Sequence, residues 1–135
     1  MTHEDICTLE QSKELHRLGF DWHCHRLYNT FDVLIGEASP FYSNEGFYNM
    51  PLAPTLAQAT KWLRDVKGIH ITADIYYPKW RERDYTNPKY LYSITLISSG
   101  ELVKCDVVRG IYYKSYEEAL SKGIDRALEI LKEEK

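Results

Sequence analysis

Apolar positions recur along this chain with two different periods, and the switches between them mark out its elements. From residue 56 the spacing is helical: Leu56, Ala59, Leu63 and Val66 fall at i, i+3, i+7 and i+10, with Trp62 flanking that face. From residue 69 the period becomes two. Ile69, Ile71, Ala73 and Ile75 alternate with His70, Thr72, Asp74 and Tyr76, which predicts a half-buried strand reaching Tyr77. A helical stripe returns at Tyr116, Ala119, Leu120, Ile124, Ala127, Leu128 and Leu131. Glu117, Glu118, Lys122, Arg126, Glu129 and Glu133 lie largely off it. Gly123 interrupts this helix at a cost of about 1 kcal/mol relative to Ala; a close approach of helix to sheet would explain it.

Three helix starts share one signature. Thr8-Leu9-Glu10-Gln11, Thr55-Leu56-Ala57-Gln58 and Ser115-Tyr116-Glu117-Glu118 fit the capping box, S/T-x-x-E/Q. In that motif the hydroxyl caps a free amide and the Glu or Gln reaches back to the cap residue's own N–H. They predict helices from Leu9 to Leu18, from Leu56 to about Lys67 and from Tyr116 to about Lys132. Gly19 and Gly68 stop the first two, with Phe20 folding back as the hydrophobic contact after Gly19. The first helix has a thin apolar face of Leu9, Ser12, Leu15 and Leu18. A short strand is predicted from Phe31 to Ile35, followed by a long loop from Gly36 to Pro54. Residues Pro78 to Pro88 read as a connection. A strand from Tyr90 to Ile97, a turn at Ser98-Ser99-Gly100-Glu101 and a partner strand from Leu102 to Val108 make a hairpin. The predicted order is α-β-α-β-β-β-α. It forms a single α+β domain over residues 1–135, with an antiparallel three- to four-stranded sheet and helices packed on one face.

Composition narrows the function classes. At 135 residues the chain can bury a real core. Its net charge of −3 gives no whole-molecule attraction to nucleic acid or anionic membrane. It contains no run of about 18 apolar residues, so no membrane partner is expected. Met1-Thr2-His3-Glu4-Asp5 carries no basic segment leading into an apolar stretch, so no signal peptide is expected. Three widely spaced cysteines, Cys7, Cys24 and Cys105, suit a reducing cytoplasm better than a disulfide framework. Eleven tyrosines are the unusual count; tyrosine serves both binding surfaces and half-buried strands.

Candidate chemistry is sparse. Trp22-His23-Cys24-His25 is the densest group of metal-ligand types, with Cys7, His3 and His16 nearby in sequence. It lacks the paired ligand spacing of zinc sites, so His23, Cys24, His25 and Cys7 are weak candidates and no metal or cofactor is expected. Cys105 reads as a small buried hydrophobe. His70 and Asp74 share a strand face, where a His/Asp pair can move protons, but a solvated face accounts for them more cheaply. The strongest binding candidate is the stretch from Tyr76 to Tyr90, at a predicted hairpin tip. Lys79, Trp80, Arg81, Arg83, Tyr85 and Tyr90 mix cations with aromatics, as base stacking and phosphate contact require, while Glu82 and Asp84 offset part of that charge. A second aromatic group, Phe41, Tyr42, Phe47 and Tyr48 with Met50, lies in the long loop. It serves either as a protein-binding patch or as cover for a sheet face.

Two segments also carry a resemblance: Ala53 through Arg64, and Tyr116-Glu117-Glu118-Ala119-Leu120 through Leu128. With Thr8-Leu9-Glu10-Gln11-Ser12 and Leu18-Gly19-Phe20-Asp21, they resemble small uncharacterised proteins of gut Bacteroidetes and their phages or mobile elements. That resemblance implies a bacterial or phage cytoplasmic protein and no particular activity. Ser115 to Leu120, following strands, is similar to the helix start of HicB-type antitoxins. The order helix, three strands, helix is similar to the double-stranded-RNA-binding domain. In that family the second helix opens with lysines facing phosphate, where this chain has Lys114-Ser115-Tyr116-Glu117-Glu118. The expected function is a non-catalytic accessory or interaction protein with an unidentified protein partner. A homodimer is possible, because exposed edge strands and tyrosines allow one. Nucleic-acid binding through the Tyr76 to Tyr90 tip is the alternative.

Overall fold

The computed structural model describes residues 6–22, 24, 26–29, 31–35, 51–76, 89–105 and 113–133, with backbone alone at 76 and 101–105. The chain is α+β. Its elements run α1 (Leu9–Arg17), β1 (Leu27–Tyr28), β2 (Leu34–Ile35), α2 (Leu56–Lys67), β3 (Ile69–Tyr76), β4 (Lys89–Leu96), β5 (Glu101–Cys105) and α3 (Tyr116–Glu133). Among the described residues two short strands stand between α1 and α2, where the sequence predicts one. The chain divides into two compact units, Met1–Ala59 and Thr60–Lys135, each described by itself.

In the first unit, α1 begins with a complete capping box. The Thr8 hydroxyl accepts from the Gln11 amide at 3.1 Å, and the Gln11 side chain accepts from the Thr8 amide at 2.8 Å. The helix ends in a Schellman motif: the Phe20 amide donates to the Leu15 carbonyl and the Gly19 amide to His16. Gly19 takes φ 98°, and Phe20 is buried behind it. β1 and β2 pair antiparallel around a turn built by Asn29. Its side-chain oxygen accepts from the amides of Phe31 (2.8 Å) and Val33 (3.1 Å). Asp32, at φ 62°, supplies the left-handed residue that a short polar side chain tolerates. The predicted strand from Phe31 to Ile35 is thereby corrected. The turn takes its first residues and leaves Phe31 83% exposed.

The end of the predicted long loop is also corrected. Tyr28 donates to the Pro51 carbonyl, Ala53 to the Arg26 carbonyl and Cys7 to the Pro54 carbonyl, each at 2.9 Å. Residues 51–55 thus run as an extended segment bridged to Leu27 on one side and Ile6 on the other. Residues 36–50 lie outside the described residues.

The Thr55 capping box at the start of α2 is complete, with both bonds at 3.0 Å. Along α2 the predicted face is buried at Leu56, Ala59 and Leu63 and departs from the prediction at its last residue. Trp62 is 2% exposed, whereas Val66 is 53% exposed. The Lys67 ammonium lies 5.7 Å from the centre of the Trp62 ring, a cation–π geometry.

In the second unit β3, β4 and β5 form an antiparallel sheet in that order. The β3–β4 register pairs Ile69 with Leu96, Ile71 with Ile94 and Ala73 with Tyr92. Residues directly opposite share a face, and α3 packs on β3 and β4. The β4–β5 ladder shifts register between Ile94 and Thr95, and Gly100 at φ 71° sits in the preceding turn. At the start of α3 the Ser115 hydroxyl accepts from the Glu118 amide at 3.1 Å. The reciprocal bond is absent among the described residues, so the third predicted capping box is half formed.

Gly123 sits where α3 meets the sheet. A Cβ there would lie 2.7 Å from Ile71 Cγ2 and 3.3 Å from Tyr92 Cβ. The Ile71 methyl hangs directly from a strand Cβ and has little room to swing away. Gly123→Ala gains about 1 kcal/mol of helix propensity and incurs an overpacking cost of about 1–3 kcal/mol. We expect a net loss of stability, read as a lower urea midpoint; a raised midpoint would show that the helix does not lie this close.

Candidate interaction surface

The candidate binding stretch is rooted on a paired stem. β3 and β4 pair residue by residue up to Tyr76 opposite Lys89, so residues 77–88 connect those two ends. Lys79, Trp80, Arg81, Arg83 and Tyr85 lie outside the described residues, as do Phe41, Tyr42, Phe47 and Tyr48. Tyr90 is described. It stands opposite Ile75 on one side and exchanges two backbone hydrogen bonds with Tyr113 on the other, at 3.0 and 2.8 Å.

This second pairing was not foreseen from the sequence. Ser93 pairs with Cys105, so an uninterrupted ladder would place residue 108 opposite Tyr90; the structure places Tyr113 there. The Tyr113 ring stacks on Tyr92, with centroids 6.1 Å apart. The root of the connection is therefore a cross-strand row of Ile75, Tyr90 and Tyr113, backed by the buried Tyr92. Ile75 remains 49% exposed and Tyr90 half-buried. No sequence signal marks Tyr113, because its partner lies 23 positions away and apolar alternation is broken before it. Phe31 and Val33, exposed at the β1–β2 turn, were likewise not singled out as surface groups.

No family model, curated protein or solved structure matches this chain.

His23 and His25 lie outside the described residues, and so does His3. Cys7 and Cys24 are fully buried in the first unit. The Cys7 carbonyl accepts from the Tyr28 hydroxyl at 2.8 Å, and the Cys24 thiol donates to the Trp22 carbonyl at 3.4 Å. Burial pushes the Cys24 thiol up to about 12, and it pushes the Tyr28 phenol up as well, with Cys7 adding to the rise and Arg26 opposing it. Zinc binds the thiolate, the form that this environment disfavours. Among the described residues no group of three or more His, Cys, Asp or Glu side chains is placed to hold a metal ion. Cys105 lies in β5, paired through its backbone with Ser93.

His70 and Asp74 fall on the same face of β3, on either side of Thr72 and opposite the face that α3 covers. Their pairs across the sheet are Thr95 and Leu91. Four residues of extended strand separate them by about 13 Å, too far for a direct hydrogen bond. Within one chain they do not form a proton-transfer pair.

The buried Cys24 makes a chemical prediction. At pH 8 its alkylation by iodoacetamide in the native protein should be slower than in the urea-unfolded chain by about a hundredfold or more, because thiolate is the reactive form. Equal rates in the two states would show that the thiol is open to solvent.

Proposed function

We propose that this chain is a small, non-catalytic interaction protein, an accessory of a bacterial mobile element or phage that works in the cytoplasm and captures a partner protein. The contact is made by Lys79, Trp80, Arg81, Arg83 and Tyr85, with Tyr90 at their base, and by Phe41, Tyr42, Phe47 and Tyr48. The observation that carries this reading is the stem. Tyr76 and Lys89 are held opposite each other, and the next row is tied down by the two backbone hydrogen bonds between Tyr90 and Tyr113. A rigid root lowers the ordering cost of binding. Trp, Tyr and Arg, the residues on this connection, are those that dominate interface energetics. No helix of the described residues is long and apolar enough to cross a membrane, and the buried free cysteines Cys7 and Cys24 fit a reducing compartment. The packing of α3 on β3 and β4 supports the finer architecture of this proposal, in which helices gather on one face of the sheet.

The test is affinity capture from a lysate of the source organism, run with and without nuclease. The Trp80→Ala, Tyr85→Ala double variant is expected to lose the partner by about thirtyfold or more and to keep its circular dichroism. Capture unchanged by the double substitution contradicts the assignment. Capture that collapses with nuclease also contradicts it and puts nucleic acid in the partner's place.

A further inference from the structure

We propose that two copies of this chain pair antiparallel through the outer edge of β3, about a twofold axis at Thr72, joining their sheets into one. The inference does not depend on the partner reading above.

Among the described residues β3 pairs with β4 alone. The Ile97 amide donates to the Gly68 carbonyl at 2.9 Å, continuing the register that sets Ile69 opposite Leu96. In an antiparallel ladder, bonding toward one neighbour alternates residue by residue. His70, Thr72, Asp74 and Tyr76 therefore spend their amides and carbonyls on β4. Ile69, Ile71, Ala73 and Ile75 turn theirs outward.

That parity restricts self-pairing. Outward-bonding residues must meet outward-bonding residues, so the twofold axis passes through a residue and never between two. An axis at Thr72 sets Ile71 opposite Ala73 and Ile69 opposite Ile75 as hydrogen-bonded pairs. Thr72 then meets its own copy, and His70 meets Asp74, as non-hydrogen-bonded pairs. Those pairs bring Cα atoms to about 4.5 Å, with side chains closer than elsewhere in the ladder. The His70 ring donates an N–H to the Asp74 carboxylate whether it carries one proton or two. Thr–Thr and opposite-charge pairs across strands are both favourable.

No other axis position aligns His70 with Asp74. The same register leaves Tyr76 alone among the strand's residues without a strand partner. It also sets the buried Ile69 of the second copy beside Ile75, which is 49% exposed in the single chain. An eight-residue edge carrying a half-exposed isoleucine invites strand addition, and a matched acid–base pair selects a second copy as the strand added.

The test is sedimentation equilibrium of the full chain. The wild type is expected to dimerise. His70→Asp sets Asp against Asp74 twice, and Asp74→Lys sets Lys against His70 twice. Each should raise the dimer dissociation constant about tenfold or more. Mixing the two variants sets the introduced aspartate opposite the introduced lysine and His70 opposite Asp74, and should recover a heterodimer of wild-type strength. Ala73→Pro removes one outward amide and no bond to β4, so it should abolish the dimer and retain the circular dichroism. A wild type that stays monomeric to millimolar concentration overturns the proposal, as do single variants that dimerise like wild type or a mixture that recovers nothing.

Discussion

The second unit depends on one close approach, the seating of α3 on the sheet at Gly123. With no Cβ at that position the helix backbone comes down onto Ile71 and Tyr92, and a side chain there would have to displace a strand. The contact decides which face of the sheet is inside. Ile69, Ile71, Ile94 and Tyr92 are buried there with Ile124, Ala127 and Leu128 of α3. His70, Thr72 and Asp74 are consigned to the other face. β4, bonded on both sides, is the rigid element against which β3, β5 and Tyr113 are registered.

The chemistry follows from that placement. Side chains that look catalytic in the linear sequence are kept apart by strand geometry, since His70 and Asp74 point the same way at a separation that no hydrogen bond spans. The same spacing becomes complementary when the strand meets its own copy in reverse. In the first unit Cys7 and Cys24 act as buried packing groups, and burial favours the neutral thiol of Cys24 over its thiolate. Among the described residues, large apolar side chains reach solvent at Phe31 and Val33 in the Asn29 turn, at Ile75 near the end of β3, and at Val66, Ile97 and Tyr116.

Features set by short-range physics were legible in the sequence. The boxes at Thr8 and Thr55, the Gly19 stop and the alternation of β3 each depend on residues within a few positions of one another, and the structure holds them. Features set by distant partners were hidden. The apolar alternation of Phe31, Val33 and Ile35 reads as strand, yet the Asn29 side chain and the left-handed Asp32 make its first half a turn. Pro51 and Pro54 read as loop, although the segment they bracket is bridged on both sides. On α2 the helical wheel placed Leu56, Ala59 and Leu63 correctly, while Val66 is exposed and the flanking Trp62 is buried. Of the candidate surface, composition revealed the aromatic and basic connection between β3 and β4. The row that supports it, Ile75 with Tyr90 and Tyr113, arises from a ladder that resumes where no pattern announces it.

In the proposed dimer a second copy covers the outward-bonding residues of β3, Ile69, Ile71, Ala73 and Ile75. Amide hydrogen exchange of the wild-type chain, resolved by residue and repeated across protein concentration, tests this most directly. The amides of His70, Thr72 and Asp74, bonded to β4, are expected to be protected at every concentration. The amides of Ile69, Ile71, Ala73 and Ile75 should exchange freely in dilute protein and become protected as concentration rises. Equal protection of both sets at all concentrations would contradict it.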